Sequence, residues 1–252
     1  MTGKITSDLI EQIKPTAAAL VTAYARSLAH LRYADVRVEI VEGKAAAAEN
    51  GASKFSGEDY AFAFGVRVLA GDRMIAPGYF GRALGTADLP HLEKILKDGI
   101  LSAYRRAMAN GELKATVREK FGGLGDSLED ARLHPIEIRQ DVVLAEYEMD
   151  PRTMDLGEMV RYTTDLSRQV AAVHAQLKYN YISTLTQLSR ELFASSEGAL
   201  IDQAFALTQG MCYAVAVSEA TSQELYDVLG HQRGWEILLR GVDEPLIKFP
   251  TF

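Results

Sequence analysis

Five histidines are the first residues to weigh for chemistry: His30, His91, His134, His174 and His231. No two stand four apart, the spacing that sets two imidazoles on one helix face for zinc. His174 falls near a helix end, where a cation suits the dipole. All five read as unrelated surface or capping residues. His231 and Glu236 could face one another, but Gly230 and Gly234 make a loop of that stretch and no metal is expected in it. Phe121-Gly122-Gly123-Leu124-Gly125 is glycine-rich like a phosphate loop, yet lacks the Gly-Lys-Ser/Thr ending and a preceding strand. Cys212 sits in a strand pattern with no base nearby to activate it, and reads as a small core residue. Ser195-Ser196-Glu197-Gly198 reads as a turn, since no nucleophile elbow surrounds either serine. Tyr179 and Tyr181 share a strand face with Leu177; packing is expected of them, with partner contact as the alternative. No catalytic, cofactor-binding or metal-binding residue is therefore assigned.

The composition narrows the classes further. The 252 residues are 48% hydrophobic and 24% charged, with a net charge of −7. A globular chain with a sizeable core fits; a phosphate-binding surface does not, because nucleic-acid binders cluster Lys and Arg. A single cysteine precludes an internal disulfide and suits a reducing compartment. The polar stretch 1–14, with Asp8, lacks a signal peptide's apolar core, and no window reaches the roughly 20 apolar residues of a membrane span. The expectation is a soluble cytoplasmic protein with no nucleic-acid or membrane partner.

Periodicity supplies the elements. Leu20, Tyr24, Leu28 and Leu31 predict a helix to about residue 31, with Pro15 in its first turn or at a kink. Residues 33–41 alternate, with Ala34, Val36, Val38 and Ile40 on one side and Asp35, Arg37 and Glu39 on the solvated side. Residues 45–59 mix alanine, glycine and charge and read as a loop. Phe62, Phe64, Val66 and Val68 predict a second strand, Ala70-Gly71-Asp72-Arg73 a tight turn, and 74–82 its hairpin partner. Asp88 caps a helix carrying Leu92, Leu96, Ile100, Ala103 and Ala107, which Asn110-Gly111 ends. Residues 111–133 read as a polar insert and 136–149 as a strand. Asp155 and Glu158 form a capping box for a helix burying Leu156, Met159, Thr163, Leu166, Val170 and Val173. Residues 175–218 read as long β structure whose exposed edges could take an extended peptide by strand addition. Without a regular βαβ repeat, the fold class is α+β, a mostly antiparallel sheet with packed helices.

Several of these segments carry a resemblance. Tyr33-Ala34-Asp35-Val36-Arg37, Phe64-Gly65-Val66-Arg67-Val68-Leu69, Asp150-Pro151-Arg152, the Ser-Glu-Gly turn and Gly234-Trp235-Glu236-Ile237-Leu238 resemble, in that order, the N-terminal region of the TldD/PmbA family of zinc metallopeptidases. The resemblance implies an N-terminal domain of TldD/PmbA type over 1–252, with a first α+β part at 1–133 and a second β-rich part at 134–252. It implies homodimers or heterodimers with a family paralogue, and flexible peptide substrates. It also implies zinc for the full-length enzyme, held by a His-Glu-x-x-x-His motif in a C-terminal catalytic domain. That motif is absent from these 252 residues. The apolar run 245–252 has no evident stop signal, so the chain is expected to be the front, non-catalytic portion of a longer enzyme. A stand-alone or partner-subunit interaction module is the alternative. The older family name invoking DNA gyrase finds no support as direct DNA binding in an acidic chain.

Overall fold

A computed structural model describes residues 6–135 and 137–241; the apolar run at 245–252 and the first five residues lie outside them. In chain order the elements are α1 (Ile10–Ser27), β1 (Leu31–Glu49), β2 (Ala52–Ala70), β3 (Ala76–Ala83), α2 (Leu92–Phe121), β4 (Gln140–Val143), α3 (Leu156–Val173), β5 (Leu177–Ser195), β6 (Leu200–Val217), β7 (Ser222–His231) and α4 (Glu236–Arg240). The strands follow the order β3-β2-β1-β5-β6-β4, with β7 also paired to β6. The fold is α+β and mostly antiparallel; β4, on residues 200–203 of β6, is parallel.

The chain forms two compact units that interleave along it rather than meeting at 133/134. The first takes Met1–Ile40, Ala61–Val143 and Arg190–Gln203; the second takes Val41–Tyr60, Leu144–Ser189 and Ala204–Phe252. In the first, one face of β1 and β2 packs under α1 and α2. Ala34, Val36, Val38, Ile40, Phe62, Phe64, Val66 and Val68 are buried with Ile10, Ile13, Ala17, Val21, Leu96 and Ile100. The core-facing stripe of α1 is thus Ile10-Ile13-Ala17-Val21, displaced from the expected one, while Leu20, Tyr24 and Leu31 only border the core. Pro15 sits inside α1, which ends at Ser27 because Leu28 turns extended and His30 is left-handed (φ 57°). In the second unit, Ala46 and Ile182 pack under α3 and α4 with Met154, Met159, Leu166, Trp235, Ile237 and Leu238. Asp155 caps α3 by accepting from the Glu158 N–H at 2.9 Å; Val173 is exposed rather than buried.

Other expectations change as well. The loop predicted at 45–59 is a β-hairpin: β1 runs to Glu49 and β2 starts at Ala52, joined by Asn50 (φ 48°) and Gly51 (φ 78°). Two positive φ values in a two-residue link suit the right-handed twist of the strands. Asn50 Oδ1 accepts from the Asn180 N–H at 2.9 Å, and the Gly51 N–H donates to Ser167 Oγ at 2.8 Å. A Cβ at Gly51 would be left-handed and 2.9 Å from Arg168 Cγ. Gly51→Ala is expected to cost about 1–2 kcal/mol, read as a lower urea midpoint in Trp235 fluorescence. Second, α2 continues past Asn110-Gly111 to Phe121. Gly111 is not a stop; it passes the Met74 carbonyl so closely that a Cβ would stand 2.3 Å from that oxygen. The strand expected at 136–149 correspondingly shrinks to Gln140–Val143.

Third, the 175–218 stretch does not offer a long open edge. β5 lies between β1 and β6, and β6 carries β4 on Leu200–Gln203 and β7 on Thr208–Val217. The edges are β3, β4, β7 and residues 52–60 of β2, and each is guarded. On β3, Pro77 has no N–H, its carbonyl accepts from Asn110 Nδ2 (2.8 Å), and the Tyr79 carbonyl accepts from Arg106 Nη1 (2.7 Å). On the other three, an aspartate carboxylate takes up the next residue's N–H: Asp59 for Tyr60, Asp141 for Val142 and Asp227 for Val228, at 2.8–2.9 Å. Such devices blunt pairing with another strand.

Candidate functional site

In the first unit, the sheet face turned away from α1 and α2 carries a charged network instead of a second layer. Alternation along β1 puts Tyr33, Asp35, Arg37 and Glu39 on this face. Asp35 was expected to be solvated, yet is 2% exposed. Arg67, from β2, explains this: its Nε and Nη2 donate to Asp35 Oδ2 at 2.8 and 2.7 Å. The same guanidinium lies 5.4 Å over the Tyr33 ring. Burial first, and the Asp35 charge second, push the Tyr33 hydroxyl up to about 12. Burial would lower the Arg67 value, but Asp35 and Tyr33 together outweigh it and the guanidinium stays charged. This pair is a closed, satisfied unit.

Arg37 is different. It stacks on Phe193 of β5, 5.3 Å from the ring centroid, and its nearest carboxylates, Asp35 and Glu191, stand at 3.8 and 3.9 Å. Both are beyond hydrogen-bonding reach, and the side chain is 55% exposed. Beside it the side-chain layer has a gap. Gly65 of β2 pairs across to Gly81 of β3, so two neighbouring positions on this face lack side chains. A Cβ at Gly65 would meet nothing within 4 Å. The result is a trough. One lobe, about 460 Å³, is lined by Asp35, Arg37, Gly65, Arg67, Tyr79 and Gly81. The other, about 320 Å³, is lined by Arg37, Glu39, Ala63, Gly65 and Glu191. Arg37 and Gly65 border both.

The residues singled out in the sequence fall elsewhere. His30 reaches Asp72 at 3.3 Å in the α1–β1 link; His91 precedes α2 and His174 follows α3; His134 is exposed in an irregular stretch. His231 ends β7 and borders a polar cleft of about 420 Å³ with Glu146, Arg233 and Glu236. Glu236 is committed there: Oε1 accepts from the Glu148 and Gly234 N–H groups at 3.1 and 3.0 Å, and Oε2 from that of Met149 at 2.9 Å. Among the described residues, no group of three or more His, Cys, Asp or Glu is placed to hold a metal ion. Gly122 to Gly125 follow the C-terminal end of α2, the wrong pole for a phosphate. Burial, then Asp227, pushes the Cys212 thiol up, away from a reactive thiolate. Ser195 to Gly198 form a tied turn, with Ser196 Oγ accepting from the Ala34 N–H at 3.0 Å. Tyr179 meets Tyr213 edge-on at 5.9 Å. Sequence reasoning placed Asp35, Arg37 and Glu39 on one strand face but read them as solvation; the signal for more was a second arginine, Arg67, and a glycine, Gly65, in phase on the next strand.

No helix among the described residues is long and apolar enough to cross a membrane. No family model and no curated protein matches the chain. Solved structures do. A candidate modulator of DNA gyrase from Bacteroides thetaiotaomicron superposes with a TM-score of 0.59 at 10% identity, over 89% of this chain and 46% of its own. TldE from Thermococcus kodakarensis gives 0.54 at 8% identity, over 88% and 43%. A candidate modulator of a DNA gyrase from Thermotoga maritima gives 0.51 at 12%, over 89% and 44%. The chain spans less than half the length of each, and along nearly all of its own length it has the TldD/PmbA-type fold of TldE and these gyrase-modulator proteins.

Proposed function

We propose that this chain is the amino-terminal, non-catalytic portion of a TldD/PmbA-type metallopeptidase, working in the cytoplasm as a subunit-association and peptide-guiding surface. The observation that carries the reading is the fold likeness itself, which runs along 89% of this chain but 46% of the longer neighbour. Zinc, which the resemblance implies for the whole enzyme, does not fit here: the described residues offer no donor set for it, so no hydrolytic step is assigned to them. Apolar side chains left in solvent suit docking surfaces; Leu225 and Tyr226 of β7 are 56% and 64% exposed. Because the strand edges are guarded, association through sheet faces is favoured over strand addition. The test is co-expression with a paralogue carrying His-Glu-x-x-x-His. Co-elution, with chelator-sensitive peptidase activity in the complex, is expected. A chain that stays monomeric and leaves the paralogue's activity unchanged would overturn the reading and leave a stand-alone interaction module.

A further inference from the structure

We propose that the trough of the first unit is a binding site for an α-ammonium group with an adjacent carbonyl or carboxylate, the chemistry shared by a free amino acid and the amino terminus of a peptide.

Three features converge on that class. Unspent polar groups of both signs line one cleft. Arg37 makes no hydrogen bond to the described residues and approaches carboxylates only at 3.8 and 3.9 Å. Glu39 is exposed without a described partner, and Glu191 is engaged through one oxygen, which accepts from Gln203 Nε2 at 3.3 Å. All three border the smaller lobe. Their charges sum to −1, so an isolated anion is repelled by the flanking glutamates, whereas an ammonium is attracted. Once it is seated, the Arg37 fork donates to the oxygen one carbon away, the planar geometry guanidinium favours.

The second feature is the rigidity of the donor. The Arg37 guanidinium lies over the Phe193 ring, 5.3 Å from its centroid, a contact that restrains the fork. The Asp35–Arg67 pair, closed at 2.7–2.8 Å, is spent on itself and does not compete for the ligand. The third is space. The larger lobe begins at Arg37 and opens over Gly65 and Gly81 beside Tyr79, which is 57% exposed. With the head group between Glu39, Glu191 and Arg37, the ligand's own side chain lies where the two glycines have none, and a flat or aromatic one can rest against the Tyr79 ring. The combined lobes match the size range of small-ligand sites.

The full chain is titrated by calorimetry and NMR with L-phenylalanine, with Phe-Ala-Ala-Ala amide, and with the N-acetylated form of that peptide. Binding of either ammonium-bearing probe is expected, with at least tenfold weaker binding of the acetylated one. Saturation by phenylalanine alone assigns a free amino acid, and by the peptide assigns an amino terminus. Gly65→Leu, whose Cβ meets nothing within 4 Å and whose branch projects into the larger lobe, is expected to abolish binding at a nearly unchanged melting temperature. Glu39→Gln, isosteric and at the surface, is expected to weaken it about tenfold and guards against misfolding of the first variant. Equal binding of the acetylated peptide, wild-type affinity in Glu39→Gln, or no binding of any probe at millimolar concentration overturns the assignment. None of these outcomes depends on the paralogue complex.

Discussion

Replacing Glu236 with alanine is expected to unfold the second unit at a urea concentration about 1.5 M lower than in the wild type. The carboxylate is 5% exposed and accepts three backbone hydrogen bonds, from Glu148, Met149 and Gly234. Those donors belong to a bend before α3 and to the link into α4, so one side chain holds two distant pieces of backbone together. Removing it leaves three N–H groups without their carboxylate acceptor at the edge of a polar cleft, the Gly234 one buried. Each such loss costs on the order of 1–3 kcal/mol, and a total of about 3 kcal/mol divided by a slope of about 2 kcal/mol/M gives the stated shift. Glu236→Gln should recover part of it, because its carbonyl oxygen still serves one side while its NH2 turns a donor toward donors. The only tryptophan of the chain, Trp235, is the neighbouring residue, 1% exposed and edge-on to Tyr162 at 5.4 Å, so its emission follows this unit. An unchanged midpoint for Glu236→Ala would mean that water replaces the carboxylate without loss, and the clamp would be no clamp.

Nothing in the local sequence announces that role, since the donors lie 87 and 88 residues upstream for Met149 and Glu148. The strand faces are the opposite case. Ala34-Val36-Val38-Ile40 and Phe62-Phe64-Val66-Val68 declare themselves by period two, because one face of each meets helices and the other does not. The hairpin between them is hidden by composition: residues 45–59 are rich in alanine and charge, poor strand formers, and Asn50-Gly51, a two-residue turn pair, is the local signal the loop reading left unused. Gly111 misled in the other direction. A glycine after asparagine reads as a helix end, yet this one is small because α2 passes against the Met74 carbonyl, a contact with a residue 37 positions away in sequence.

The candidate site divides along the same line. That Asp35, Arg37 and Glu39 share a face is local, and the sequence carries it. That Asp35 is buried by Arg67, that Arg37 rests on Phe193, and that Gly65 meets Gly81 depend on which strands become neighbours. Strand order is a property of the whole sheet. Charged residues alternating with apolar ones are more often solvation than recognition, so the pattern alone could not separate a spent arginine from an unspent one. Only the distances do: 2.7 Å for Arg67 and 3.8 Å for Arg37.

Asp202→Asn is expected to lower the melting temperature by about 8 °C at pH 7 and by much less at pH 2. Asp202, on β6, is 1% exposed and accepts from Arg190 Nε and Nη2 at 2.8 and 2.7 Å and from Lys14 Nζ at 3.2 Å. Arg190 is itself 11% exposed, and Glu11 of α1 is its other partner. Neutralising the aspartate therefore takes the shared carboxylate from Lys14 and leaves Arg190 with Glu11 alone in a largely buried place, a change worth about 3 kcal/mol, or about 8 °C for a protein of this size. The pH dependence follows from the sign of the shift. Burial alone would raise the Asp202 value, but the hydrogen bonds from Arg190 and then Lys14 outweigh it and hold the carboxyl below its ordinary range. A depressed folded-state value means the pair's contribution is complete above the unfolded value of about 3.9 and disappears as pH falls through the folded one. Below that point the wild-type carboxyl is protonated and resembles the asparagine. Asp88 is held low by Arg82, and Asp150, which burial would raise, is held low by Arg152, but both titrate in both proteins and cancel from the difference. Melting curves by circular dichroism between pH 7 and pH 2 should show the two proteins converging. A gap that stays constant across that range would place the stabilisation in shape and packing at Asp202 rather than in its charge.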